Sequence, residues 1–188
     1  QTIDLPLLLK IAAQAPALAV PAVQLPAPNP TPLRIGVARD KAFSFYYADN
    51  LELLEQLGAQ LVEFSPLHAP QLPDDLDGLL LGGGYPELYA DTLSQNCTLM
   101  AQIKASLQNG LPCIAECGGF QYLCEQLEGA DSKSYPMVGF LPGSSFRTPS
   151  LRRFGYVRLT AQKDNLLCKK GEGFAAHEFH YWDSQNCG

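Results

Sequence analysis

Long apolar runs are missing from this chain. None approaches the roughly 20 residues that a membrane-crossing helix needs, so no segment reads as a helical span. Positive charge is scarce as well. Thirteen Lys and Arg stand against nineteen Asp and Glu, a net charge of −6, which argues against a broad nucleic-acid surface. The six cysteines, at 97, 113, 117, 124, 168 and 187, form no CxxC pair and no Cys/His ligand spacing, so no metal site is expected. The start carries Leu7-Leu8-Leu9, but Asp4 precedes them, Lys10 follows, and no basic region leads in, so it does not read as a secretory leader. Free thiols in a reducing cytoplasm are therefore expected.

What is present falls into two parts. Residues 1–14 could hold one short helix or strand end. Residues 15–33 carry Pro16, Pro21, Pro26, Pro28, Pro30 and Pro32, which remove backbone donors and favour extended geometry. That reads as a semi-rigid linker following the tail of a preceding domain. From residue 34 strands and helices alternate, the pattern of a parallel sheet with right-handed crossovers. Strands are expected at 34–38, 60–64, 78–81 and 111–116. A helix capped by Asp49 or Asn50 would face Leu51, Leu54 and Leu57 inward and close at Gly58. A second, capped by Asn96, would bury Leu99, Met100, Ile103 and Leu107 and end at Gly110. A third is expected over 120–127. Beyond residue 137 the pattern weakens, leaving short strands near 154–159 and 176–181.

Two glycine-bearing strand ends carry the chemistry. Cys117 stands between a buried strand and a helix, with Gly118 and Gly119 after it. A residue on that turn projects above the carboxyl ends of the strands. The helix start would favour the thiolate, the reactive form. A buried structural thiol is the plain alternative, and position alone does not choose. The second end is Gly82-Gly83-Gly84, where bare backbone could present amides to an oxyanion. Neither GxGxxG nor GxxxxGK[ST] is present, so a phosphate loop is not indicated. Of only three histidines, His68 lies in a proline-flanked loop, while His177 and His180 lie in an alternating HEFH stretch. On a strand, His177 and Phe179 would share one face, Glu178 and His180 the other.

The segments VARDKAF (37–43), Tyr46-Tyr47, LGGGYPEL (81–88), AECGGFQYL (115–123), MVGFLPG (137–143), FGYV (154–157) and HEFHYW (177–182) occur in order. Over residues 34–188 the chain resembles the class I glutamine amidotransferase domain of the cobyrinic acid a,c-diamide synthase family. The resemblance implies an open, mainly parallel flavodoxin-like α/β sheet with helices on both faces. It implies glutamine hydrolysis through a thioester on Cys117, with oxyanion amides from Gly84 and Gly118 and substrate contact along Gly83. The ammonia would pass to a preceding synthetase domain that uses ATP and Mg to amidate two corrinoid carboxylates. No cofactor is expected in the amidotransferase domain itself. The family's general base is expected in a segment beyond Gly188, with His180 as the candidate inside the chain, so weak activity is expected from residues 1–188 alone. Glu116 beside Cys117 leaves open a PfpI-like cysteine hydrolase, and a docking or ammonia-channelling module is a third reading.

Overall fold

The computed structural model describes residues 3–20, 24–151 and 153–185. Strand β1 (Leu33–Ala38) forms where the sequence places it, because Val37 and Ala38 are buried and flanked by parallel neighbours. It pairs with β3 (Ala59–Phe64) on one side and β4 (Gly78–Leu81) on the other. β6 (Cys113–Ala115) completes a four-stranded, all-parallel sheet in the order β3-β1-β4-β6. Parallel strands must be covered on both faces, which explains their near-continuous apolar runs.

Helix α4 (Cys97–Gln108), following the short α3 (Ala90–Gln95), buries the four expected side chains, Leu99, Met100, Ile103 and Leu107. Burying each of such side chains contributes about 1.5–3 kcal/mol. Helix α2 (Ala48–Gln56) buries only Leu51, and Gly58 closes it at φ 95°. The caps differ from expectation. α2 starts after Tyr47, with no side-chain cap from Asp49 or Asn50. Asn96 does occupy the cap position of α4, but its amide instead donates to the carbonyls of Pro66 and Ala69, at 3.0 and 2.9 Å.

The helix expected over 120–127 is the main local correction. Helix α5 (Gly118–Leu123) has six residues, and Cys124–Glu128 is strand β7. Leu123 and Leu127 are both buried, which mimics helical spacing. Residues 124–128 instead join a mixed sheet with β8 (Ser134–Pro136), β9 (Leu141–Arg147) and β12 (Trp182–Ser184), in the order β12-β9-β7-β8. The expected α/β fold with a parallel sheet is thus present in the first half, and the second half adds a mixed sheet that the sequence pattern did not announce. Ladder pairing with β9 and β8 overrides local helix preference there.

A short antiparallel pair, β2 (Phe43–Phe45) with β5 (Gly83–Gly84), lies over the end of the parallel sheet. Strands β10 (Arg153–Thr160) and β11 (Gly173–His180) form a separate antiparallel hairpin. The alternation read for HEFH holds: His177 and Phe179 are exposed, Glu178 and His180 half-buried. At the other end, helix α1 (Leu5–Ala13) is capped by Asp4 and buries no residue. The described residues from 14 to 32 are exposed, tied down at Asn29, whose N–H donates to the Leu57 carbonyl at 2.9 Å.

Candidate active site

Cys117 occupies the turn from β6 into α5 with φ 48° and ψ −108°. An L-residue adopts such a conformation only when its surroundings impose it, at a cost of about 1–3 kcal/mol. The surroundings are tight. Glu116 N–H donates to the Leu81 carbonyl at 2.9 Å, and Gly119 N–H to the Glu116 carbonyl at 2.9 Å. A Cβ on Gly119 would lie 2.0 Å from the Leu81 carbonyl oxygen, so this position admits no side chain.

The glycine loop meets the elbow. A Cβ on Gly83 would stand 3.6 Å from the Cβ of Cys117, and one on Gly118 would stand 3.2 Å from the amide nitrogen of Gly84. The backbone amides of Gly118 and Gly84 favour the thiolate of Cys117. Cys117, Gly83, Gly84 and Gly118 are therefore brought together. Gly84 has the same steric demand as Gly119: its Cβ would lie 2.0 Å from the Ala42 carbonyl oxygen.

The thiol itself corrects an expectation. Its pKa is raised, first because crowding by protein opposes ionisation, then by the carboxylates of Glu87 and Glu116; the two amides offset only part of this. Cys117 is exposed by surface area, yet the density of protein around its sulfur is what matters for charge. Glu87 is half-buried, and burial raises its own pKa. Burial also pushes the thiol of Cys113 up, to about 11. The described cysteines are all free thiols, and Cys187 lies outside the described residues.

Cys117, Gly83 and His180 line one cleft of about 1230 Å³. His180 Nδ1 lies 2.6 Å from the Trp182 carbonyl oxygen. A carbonyl only accepts, so Nδ1 carries the proton, and in the neutral ring Nε2 keeps its lone pair. Next to it, Trp182 Nε1 donates to the Glu128 carbonyl and Thr148 N–H to that of Tyr181, at 2.9 and 2.8 Å. These bonds tie the foot of the hairpin to the mixed sheet. His177 also borders the cleft but stacks edge-on with Phe154 and Tyr156, and His68 is exposed in its loop.

Sequence reasoning passed over three residues. Asp40 accepts from the amides of Ala42, Phe43 and Leu67 and from the Ser65 hydroxyl, fixing the turn before β2. Tyr46 bonds the glycine loop. Gln121 lines the cleft, 8% exposed, with its amide oxygen unpaired among the described residues. All three stand inside the motifs already quoted, but only their partners reveal a role.

Comparison with known proteins then decides the family. The model of the CobB/CobQ-like glutamine amidotransferase domain matches residues 34–186. The chain belongs to that family. It is 45% identical over 185 residues to the cobyrinate a,c-diamide synthase of Dehalococcoides mccartyi strain CBDB1, covering 96% of this chain and 40% of the relative. Similar relatives carry the same name in Priestia megaterium, 45% identical over 82% of this chain and 34% of the relative, and in Clostridium tetani, 49% over 79% and 33%. The chain thus spans 40% or less of these curated relatives.

Proposed function

We propose that this domain hydrolyses glutamine at Cys117 and supplies ammonia for amidation of a corrinoid acid. The observation that carries the reading is the strained elbow, with Gly83 and Gly84 packed against Cys117 and Gly118. The sulfur attacks the side-chain carbonyl of glutamine, and the two amides stabilise the oxyanion as it forms. Collapse breaks the C–N bond, ammonia leaves with an added proton, and water hydrolyses the thioester to glutamate.

The parallel strands follow the order 2-1-3-4 when counted among themselves, which supports the flavodoxin-like class I reading. The relatives' name and their greater length support a synthetase region, joined in our reading through the proline segment at 15–33, whose described residues are exposed; we propose that this region uses ATP and Mg. That synthetase would amidate the a and c carboxylates of cobyrinic acid, in the cytoplasm.

His180 is the proton carrier we propose within these residues. It shares the cleft with Cys117 and holds the tautomer a base needs. The test is treatment with the glutamine chloroketone L-2-amino-4-oxo-5-chloropentanoic acid, followed by peptide mass analysis. Modification at Cys117, prevented by excess glutamine, is expected. Labelling spread evenly over Cys97, Cys113 and Cys168 would sink the glutaminase reading.

A further inference from the structure

A run of three glycines has no side chains with which to hold itself in place, yet the site depends on where one of its amides points. The structure shows what holds it. On one side, β5 pairs with β2, Phe43 opposite Gly84 and Phe45 opposite Gly83, and Tyr85 N–H donates to the Ala42 carbonyl at 3.0 Å. On the other side stands Tyr46, the residue immediately after β2. Its hydroxyl accepts from the Gly82 amide at 2.8 Å and donates to the carbonyl of Ala38 at the end of β1. The Leu80 carbonyl oxygen lies 3.5 Å from the same hydroxyl. The ring lies directly over Gly82, whose Cβ would stand 2.5 Å from the ring carbon bearing the hydroxyl.

We infer that Tyr46 is a positioning residue for the oxyanion: ring and hydroxyl clamp Gly82, so that the Gly84 amide two residues on stays aimed at Cys117. This rests on the glutaminase reading above. The hydroxyl suits the task because it both accepts and donates, joining the amide of Gly82 to a buried parallel strand. Burial pushes its pKa up to about 12, so the phenol keeps its proton at physiological pH and the bond to Ala38 persists. Phenylalanine would retain the ring and lose both bonds. Alanine at position 82 would retain the hydroxyl and force the ring away. The two substitutions therefore disturb one contact from opposite ends.

The test uses the chain as it stands and needs no turnover. With the glutamine chloroketone, sulfur adds to the ketone carbon and an oxyanion forms; sulfur then displaces chloride from the adjacent methylene, the first C–S bond breaks and the ketone re-forms. Iodoacetamide reports the same thiolate by direct displacement of iodide, with no oxyanion. In Tyr46→Phe the maximal chloroketone inactivation rate is expected to fall about tenfold. The chloroketone concentration for half-maximal rate is expected to stay within about twofold, and the iodoacetamide rate at Cys117 to fall clearly less than the inactivation rate, since the Gly84 amide is one of several influences on the thiolate. Gly82→Ala gives the same pattern, and the double variant loses little more, because both act through one contact. An unchanged inactivation rate overturns the inference, as do additive losses or equal losses with both reagents. If Tyr46→Phe does not fold, Gly82→Ala alone decides by the same ratio of rates. A native chain that takes no chloroketone at Cys117 overturns the glutaminase reading and this inference with it. Native labelling at full rate in both variants overturns the inference alone.

Discussion

The elbow and the hairpin are built in opposite ways. Around Cys117 the chain is fixed by backbone contacts against a continuous core whose buried residues run from Ala38 to Val138. Leu81, Leu99 and Ile103, fully buried, belong to it. Hairpin β10–β11 contributes nothing to that cluster. It presents Phe154, Tyr156, Phe179 and nearby Tyr181 to solvent, Tyr156 at 91% exposure, their rings meeting one another and His177 edge-on. His180 stands where the two regimes meet, on the last residue of β11 but bonded to Trp182 of β12. The nucleophile is thus held by packing, and the histidine by a few hydrogen bonds at a hairpin foot. A cysteine glutaminase can tolerate this asymmetry, because the sulfur must be placed to a fraction of an ångström while a proton carrier needs only hydrogen-bond reach.

The sharpest way to break this comparison is to remove the proposed carrier. His180→Ala is expected to lower ammonia release from glutamine by ~10²–10⁴ while leaving the melting temperature and the iodoacetamide rate at Cys117 in place. Ammonia release within twofold of native would remove His180 from the mechanism. His177→Ala is the internal control and should change little, since its ring packs with exposed aromatics rather than with the elbow.

On the nucleophile side, Gly84→Ala should cost ~10²–10³ in chloroketone inactivation by displacing one oxyanion donor. The added methyl has nowhere to go, standing 2.0 Å from the Ala42 carbonyl oxygen. Stability should fall too, by about 1–3 kcal/mol, the usual cost of overpacking. Urea melts and inactivation kinetics on one sample would show whether site and core fail together. If inactivation survives, Gly84 is not the donor.

Stability alone gives a third contrast. Leu99→Ala removes a fully buried side chain of α4 and should destabilise by about 2–5 kcal/mol. Phe154→Ala, at 70% exposure on the hairpin, should fall within about 0.5 kcal/mol of native. Comparable losses at the two positions would show that the hairpin belongs to the same cooperative unit as the core.

The same division governs what the sequence revealed. The parallel strands were legible because Val37, Leu79 and Leu81 sit in short apolar runs bounded by glycine and polar residues. The inward face of α4 followed from spacing alone. The elbow at Cys117 and its partner Gly83–Gly84 were legible from their glycines, because only glycine fits where backbones approach this closely. Residues 124–128 were not, since Leu123 and Leu127 satisfy a helical period and a buried strand equally well. β9 was hidden for a different reason. Its sequence, LPGSSFR, lacks alternation and takes its shape from β7 and β12 alongside. The charge state of Cys117 was beyond reach for a third reason, since it depends on Glu87, thirty residues away in sequence and adjacent only after folding.

That dependence yields the gentlest test. The Cys117 thiol is raised above the ordinary cysteine range mainly by crowding, with Glu87 the larger of two carboxylate contributions and Glu116 the smaller. A negative charge beside a thiol disfavours the thiolate, so replacing it by a neutral isostere must lower the thiol pKa. In Glu87→Gln the iodoacetamide rate at Cys117, followed from neutral to alkaline pH, should rise at lower pH than in the native chain. Glu116→Gln should move the profile in the same direction and less far. Glu178→Gln lies on the hairpin, 3.7 Å from the Arg153 guanidinium, and does not figure among the charges acting on Cys117. Its profile should superimpose on the native one. A shift with Glu178→Gln equal to that with Glu87→Gln would mean that the hairpin closes over the elbow in solution, and the contrast between the two regions would have to be abandoned. A profile moved to higher pH by Glu87→Gln would show that the carboxylate acts on the sulfur through a hydrogen-bonded proton rather than through its charge.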